Sequence, residues 1–198
     1  MYGILGGTFD PVHRGHMALA QAALDFNIQQ VFWVPSNIPP HRALPKSTPE
    51  HRRCMVELAI KHEPRFVLDD REQRRQGPSY MIDTLASFRE SVGPQAPLVL
   101  LLGSDAFNRL TTWKSWESLI NFAHLMVFTR EGHLAIEPIL KERWTSDWAD
   151  CHQTPSGLIY CHSVSLPDIS STQLRERLEP GYLMPDVYEY IQAHQLYA

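Results

Sequence analysis

Gly6-Gly7-Thr8-Phe9-Asp10-Pro11-Val12-His13-Arg14-Gly15-His16 lies between a short apolar run at the start of the sequence and an amphipathic stretch. A glycine-rich turn between a strand and a helix lets backbone N–H groups come close to a phosphate, and the helix N-terminus adds partial positive charge. The same place carries His13, Arg14 and His16. Cationic side chains there oppose the helix macrodipole. Their clustering makes sense when an anion sits between the helix end and the side chains, so the stretch reads as a polyphosphate site.

Outward from this stretch, short apolar runs alternate with helical patterns. Candidate strands are Tyr2–Leu5, Gln30–Val34, Phe66–Leu68, Leu98–Leu102, His124–Phe128 and Leu158–His162. The run at Leu98–Leu102 is apolar throughout, as a central strand covered on both faces would be. Between them the periodicity predicts helices over Gly15–Phe26, Pro49–His62 (capped by Thr48), Tyr80–Ser91, Trp116–Ala123, Ile136–Arg143, Ser171–Leu178 and Asp186–Gln195. Such alternation predicts an α/β fold, a doubly wound parallel sheet with C-terminal helices. Ligands of these sheets bind beyond the C-terminal strand ends, where the strand order reverses. Pro35–Pro49 is a long proline-rich connection of the kind that often carries function, and Arg130–Pro155 is the least readable stretch.

The 198 residues are enough for one domain with a sizeable core, and the expectation is a single domain over 1–198. A net charge of −4 argues against a general nucleic-acid binder, though not against a local basic pocket. Three cysteines make no disulfide framework and fit a reducing compartment. Neither a signal peptide nor a membrane-length apolar run is evident, so the expected setting is cytoplasmic, without membrane or nucleic-acid partners.

Further segments follow in order: Asn37-Ile38-Pro39-Pro40-His41-Arg42, Gly77-Pro78-Ser79-Tyr80 with Asp83-Thr84, Gly103-Ser104-Asp105, Thr112-Trp113, and Ile169-Ser170-Ser171-Thr172-Gln173-Leu174-Arg175. With the opening HxGH they resemble the bacterial nicotinate-mononucleotide adenylyltransferases of the HxGH nucleotidyltransferase superfamily. The resemblance spans Ile4–Tyr197 apart from roughly Gly132–Gly157. It implies a Rossmann-like nucleotidyltransferase fold. The implied reaction takes ATP and nicotinate mononucleotide to nicotinate adenine dinucleotide and pyrophosphate, with magnesium carried on ATP, in NAD biosynthesis.

In that reaction the nucleophile is an ionised phosphate, so positioning and charge stabilisation suffice. The resemblance gives His13, His16 and Arg175 the catalytic roles on the ATP phosphates, with Ser171 and Thr172 facing the same groups. Gly6, Gly7, Thr8 and Phe9 supply close-packed backbone, and Gly103 and Asp105 meet the nucleotide, Asp105 through ribose hydroxyls. Ser170–Gln173 also reads as a capping box. Arg175, read in the first turn of its helix, is misplaced electrostatically unless an anion is close. Trp113 stacks the pyridine ring, while Thr84 and backbone near Lys114 meet its carboxylate. His41 and Arg42, with Lys46 as helper, hold the mononucleotide phosphate, and Arg130 contacts nucleotide, although Glu131 stands where proline is common.

Trp33, Trp116, Trp144 and Trp148 are read as packing residues, and Arg71, Arg74 and Arg75 as a solvated face. Cys151-His152 and Cys161-His162 lack the usual spacing of zinc ligands. Two other functions compete with this reading. One is a relative with the same loop but another acceptor, such as phosphopantetheine. The other is a nucleotide sensor without turnover.

Overall fold

Both faces of Leu98–Leu102 are covered: Leu98, Leu100 and Leu102 point into one apolar cluster, and Val99 and Leu101 into another. The computed structural model describes residues 1–40, 44–129 and 137–198. Its strands are β1 (Tyr2–Gly7), β2 (Gln30–Pro35), β3 (Phe66–Leu68), β4 (Leu98–Gly103), β5 (His124–Thr129), β6 (Trp144–Thr145) and β7 (Ile159–Ser163). They form one sheet in the order β3-β2-β1-β4-β5-β7-β6, and every neighbouring pair is parallel. The chain thus winds one way from β1 to β3 and the other way from β4. The order reverses between β1 and β4, and their C-terminal ends open the crevice that such a sheet offers a ligand.

The helices are α1 (Arg14–Leu24), α2 (Pro49–Ile60), α3 (Arg71–Arg74), α4 (Met81–Val92), α5 (Ser104–Phe107), α6 (Ala149–Gln153), α7 (Ser171–Glu176) and α8 (Pro185–Ala193). Leu19, Ala20, Ala23 and Leu24 form the buried stripe of α1. Pro49 opens α2 behind Thr48, whose hydroxyl accepts from the His51 N–H at 3.4 Å. Together α1, α2 and α8 cover one face of the sheet. The opposite face is covered by α4 and by the 3-10 turns at Leu110–Thr112 and Trp116–Asn121.

Three expectations change. Trp116–Ala123 is not an α-helix: Ser115 takes a left-handed backbone (φ 52°) and only a 3-10 stretch to Asn121 follows. The helix expected at Ile136–Arg143 is a 3-10 turn over Pro138–Arg143, and the least readable stretch also holds β6 and α6. Finally, β1 runs two residues further than the apolar pattern, so Gly6 and Gly7 lie in the strand and pair with Val34 and Pro35.

Packing accounts for these two glycines. A Cβ on Gly7 would lie 2.9 Å from the Phe9 ring, which is buried on a residue with positive φ (52°) and has nowhere to go. A Cβ on Gly6 would meet the Met81 methyl at 2.3 Å, the free end of a flexible side chain. Overpacking typically costs about 1–3 kcal/mol. Gly7→Ala is therefore expected to lose that much in urea unfolding and Gly6→Ala distinctly less. Equal losses would contradict the packing argument.

Candidate functional site

The loop after β1 delivers its histidines to the start of α1 as caps. The Gly15 N–H donates to His13 Nδ1 at 3.1 Å, and the His13 N–H donates to His16 Nδ1 at 3.2 Å. A ring nitrogen that accepts carries no proton, so each imidazole is neutral and bears its hydrogen on Nε2. This changes the expectation for the two histidines, which meet the start of α1 as acceptors; Arg14, the exposed first residue of the helix, still brings a guanidinium there. The rings stack at 3.8 Å with a 34° tilt, and Phe9 meets His16 edge-on at 5.0 Å. Gly15 makes room, because a Cβ there would come within 3.0 Å of the His13 ring.

Against this loop lies α7. Ser170 and Gln173 form the expected capping box. The Ser171 hydroxyl donates to the Pro11 carbonyl at 2.9 Å, and Arg175 Nη1 donates to the Asp10 carbonyl at 2.7 Å. Arg175 Nη2 donates to Thr172 Oγ1 at 3.1 Å. The structure therefore brings Ser171, Thr172 and Arg175 to the loop of His13 and His16. Two details differ from expectation. Ser171 spends its proton on the loop, and α7 is only six residues long, so Arg175 sits in its last turn, where a cation is favoured. The argument from a misplaced charge lapses for Arg175, and its nearest anionic neighbour is Asp10, at 3.9 Å.

Asp10 and Arg52 were not singled out in the sequence, yet they organise the site's base. Asp10 is 2% exposed; its carboxylate accepts from the Lys46 N–H (2.8 Å), the Ser47 N–H (3.1 Å), the Ser47 hydroxyl and the Tyr197 phenol (2.8 Å). Arg52, fully buried on α2, donates to the carbonyls of Thr8 (3.0 Å), Ser36 and Asn37 (2.9 Å), tying the loop after β1 to the loop after β2. Burial lowers the affinity of Arg52 for its proton and the Asp10 charge opposes this. Asn37 is held in turn by Ser79 Oγ (2.8 Å), which brings the Pro78–Ser79 segment to the same edge.

After β4, Gly103 starts α5 without a side-chain cap, and Asp105 stands exposed in its first turn. Asp105 is thus not a cap but an open carboxylate at the C-terminal end of a central strand. Trp113 is half-buried at the end of the following 3-10 turn. Beside it, Lys114 lies over the Tyr80 ring at 4.3 Å and 3.6 Å from the Asp83 carboxylate. Thr84 corrects an expectation. It is fully buried, its N–H bonds the Tyr80 carbonyl, and its hydroxyl donates to Glu72 at 2.6 Å, so it offers nothing to a bound carboxylate. Lys46 is exposed with its backbone pinned on Asp10. His41, Arg42 and Arg130 lie outside the described residues.

The face at 71–75 is also different from a solvated one. Arg71 chelates Asp69 and covers the Phe88 ring at 3.4 Å, and Glu72 is buried. Only Arg74 is largely exposed, paired with Asp70. Trp33 is fully buried, Trp116 and Trp144 pack on one core cluster, and Trp148 packs on the other. Cys54, Cys151 and Cys161 are free thiols, and among the described residues no group of three His, Cys, Asp or Glu could hold a metal. No described helix is long and apolar enough to cross a membrane.

The reversed parallel sheet thus carries two imidazoles, and an arginine from α7, at the loop that follows β1. Residues 4–177 match the family described as Cytidylyltransferase-like. The nicotinate-nucleotide adenylyltransferase of Salmonella typhimurium (strain LT2) is 38% identical, over 98% of this chain and 97% of its own. The probable nicotinate-nucleotide adenylyltransferase of Pectobacterium atrosepticum is 39% identical over 97% and 96%. In fold, the chain is similar to Plasmodium falciparum nicotinic acid mononucleotide adenylyltransferase complexed with NaAD, with a TM-score of 0.75 at 21% identity over 99% of this chain and 96% of that one. The chain belongs to the cytidylyltransferase-like family, in its nicotinate-nucleotide adenylyltransferase branch.

Two predictions follow from the geometry. Asparagine caps a helix as well as any residue, and replacing a cap by alanine costs about 1 kcal/mol. His13→Asn is expected to keep its stability within a few tenths of a kcal/mol yet lose turnover, whereas His13→Ala loses both. Full activity in the asparagine variant would reduce His13 to a cap. The second concerns Glu72, whose carboxyl is raised above 4.5, chiefly by burial and against the hydrogen bonds from Thr84 and Ser79. A raised acid contributes stability that is complete below the ordinary glutamate value and is lost as pH climbs through the folded value. Glu72→Gln should therefore gain on the wild type in urea midpoint as pH rises above the ordinary glutamate value. A constant difference would contradict this assignment.

Proposed function

We propose that this protein transfers the adenylyl group of ATP to nicotinate mononucleotide, giving nicotinate adenine dinucleotide and pyrophosphate, as a cytoplasmic step of NAD biosynthesis. The observation that carries the reading is the pair of neutral imidazoles whose Nδ1 atoms are used as caps. Each ring then carries its hydrogen on Nε2, the kind of donor that a phosphate oxygen accepts from. The names of the relatives supply the acceptor.

A mononucleotide phosphate oxygen attacks the α-phosphorus in line; the new O–P bond forms as the bond to pyrophosphate breaks. The nucleophile needs no base, and the work of the protein is to hold two anions together and stabilise charge on the transferring group. His13 and His16 donate from Nε2 to the ATP phosphates, His16 to the transition state above all. Arg175 has five N–H donors, of which the contacts to Asp10 and Thr172 use only some. The rest serve the phosphates, and Thr172 lies beside them. Close-packed Gly6, Gly7, Thr8 and Phe9 form the floor, while Gly103 and Asp105 face the nucleotide, Asp105 accepting from ribose hydroxyls.

Trp113 stacks the pyridine ring, and backbone N–H groups near Lys114 meet the nicotinate carboxylate. A pocket of donors accepts a carboxylate and leaves an amide NH₂ unmatched, which favours the acid over nicotinamide. Lys46, with His41 and Arg42, takes the mononucleotide phosphate, and Arg130 contacts nucleotide. Magnesium fits as an ion held chiefly by the triphosphate itself. Bound there, it would neutralise phosphate charge.

Pyrophosphate release measured across a panel of acceptors tests the reading. Nicotinate mononucleotide is expected to be the best substrate; product from phosphopantetheine alone would overturn it. His16→Ala should lower kcat by about 100- to 1,000-fold, as removal of one transition-state donor does. Trp113→Ala should raise KM for the mononucleotide by about three- to tenfold with kcat little changed.

A further inference from the structure

We infer that Tyr197 is a positioning residue, latching Asp10 and Ser47 so that Lys46, where the chain returns to α2, is held ready for the mononucleotide. The inference rests on the adenylyl-transfer reading and adds a residue to it.

Asp10 joins parts of the chain that are far apart in sequence. Its backbone carbonyl receives Arg175 from α7, and its carboxylate receives the N–H groups of Lys46 and Ser47, where the proline-rich loop returns to α2. Three donors, the Ser47 N–H, the Ser47 hydroxyl and the Tyr197 phenol, converge on Oδ1, while Oδ2 takes the Lys46 N–H with Arg175 Nη1 3.9 Å away. Buried and held from both oxygens, Asp10 acts here as a structural anchor. Its use is to hold the landing point of one substrate loop against the loop that carries His13 and His16.

Tyr197 closes that arrangement. Its phenol hydrogen is shared between Asp10 Oδ1 at 2.8 Å and Ser47 Oγ at 3.2 Å, and Ser47 in turn donates to the same carboxylate oxygen. Burial and the neighbouring Asp10 charge push the phenol above its ordinary range, so it remains a donor at working pH. Its backbone is left-handed (φ 67°), as is that of Gln195 (φ 50°). Ordinary residues adopt that conformation where surrounding contacts impose it. The strained turn after α8 thus delivers one hydroxyl to one carboxylate.

Removing the hydroxyl leaves the imidazoles and Arg175 where they are and loosens Lys46–Ser47. The mononucleotide then has to fix Lys46 and Ser47 on binding, which costs affinity for that substrate and not for ATP. Steady-state kinetics of Tyr197→Phe should show KM for nicotinate mononucleotide raised about three- to tenfold, with KM for ATP and saturated kcat within about twofold of wild type. Ser47→Ala should do the same, and Ser47→Thr, which keeps a hydroxyl, should restore the wild-type KM. This pair tests the latch even if the tyrosine variant fails to fold. A mononucleotide KM within twofold of wild type in the folded variants overturns the latch, as does a rise shared equally by ATP. Wild-type protein that makes no dinucleotide overturns the adenylyl-transfer reading instead.

Discussion

The hydrogen bond from the Gly15 N–H to His13 Nδ1, repeated from the His13 N–H to His16 Nδ1, is the constraint on which the site depends. It satisfies orphan amides at the start of α1 and selects the tautomer of both rings in the same stroke. An aspartate cap would satisfy the amides equally well but, being an acceptor only, would leave no donor behind. Imidazole is the side chain that accepts with one nitrogen and donates with the other at neutral pH. Capping and anion recognition are therefore one arrangement in this chain, and Gly15 is small because the His13 ring lies against it.

Everything beneath that pair serves to keep it in register. Arg52 binds three carbonyls from the loops after β1 and β2. Asp10 gathers the returning substrate loop, Arg175 and Tyr197. A buried arginine surrounded by carbonyls and a buried aspartate surrounded by donors are each costly to bring out of water. Several hydrogen bonds to each offset much of that cost, although the buried Arg52 Nε finds no partner among the described residues, and the outcome is a set of loops with little freedom to rearrange. For a reaction that rests on placing two anions together, that rigidity is the protein's main contribution.

How much of this was legible in the sequence depends on the range of the interaction. Six strands could be read because each is a short apolar run closed by turn residues. The seventh, β6, is two residues long and leaves no pattern, and it lies in a segment whose helices are equally short. The two histidines and Arg175 stood out as charge-bearing types in a recognisable order. Asp10 stood within the quoted stretch but gave no sign of its partners, which lie 36, 37, 165 and 187 residues away. Arg52 sits on the helical stripe of Met55, Val56 and Ala59, a signal that its charge masked, whereas Arg53 pairs with Glu57 on the outer side. Thr84 was misread for the same reason: its partner Glu72 is buried within what looked like a charged surface run.

The central claim is a statement about protons, and it is measurable on the unliganded protein. Nitrogen-15 spectra of labelled imidazoles, with His13 and His16 assigned by substitution, report which ring nitrogen carries hydrogen. The account predicts both rings neutral near neutral pH, with the hydrogen on Nε2 and an accepting Nδ1. Rings found as imidazolium, or with hydrogen on Nδ1, would contradict it.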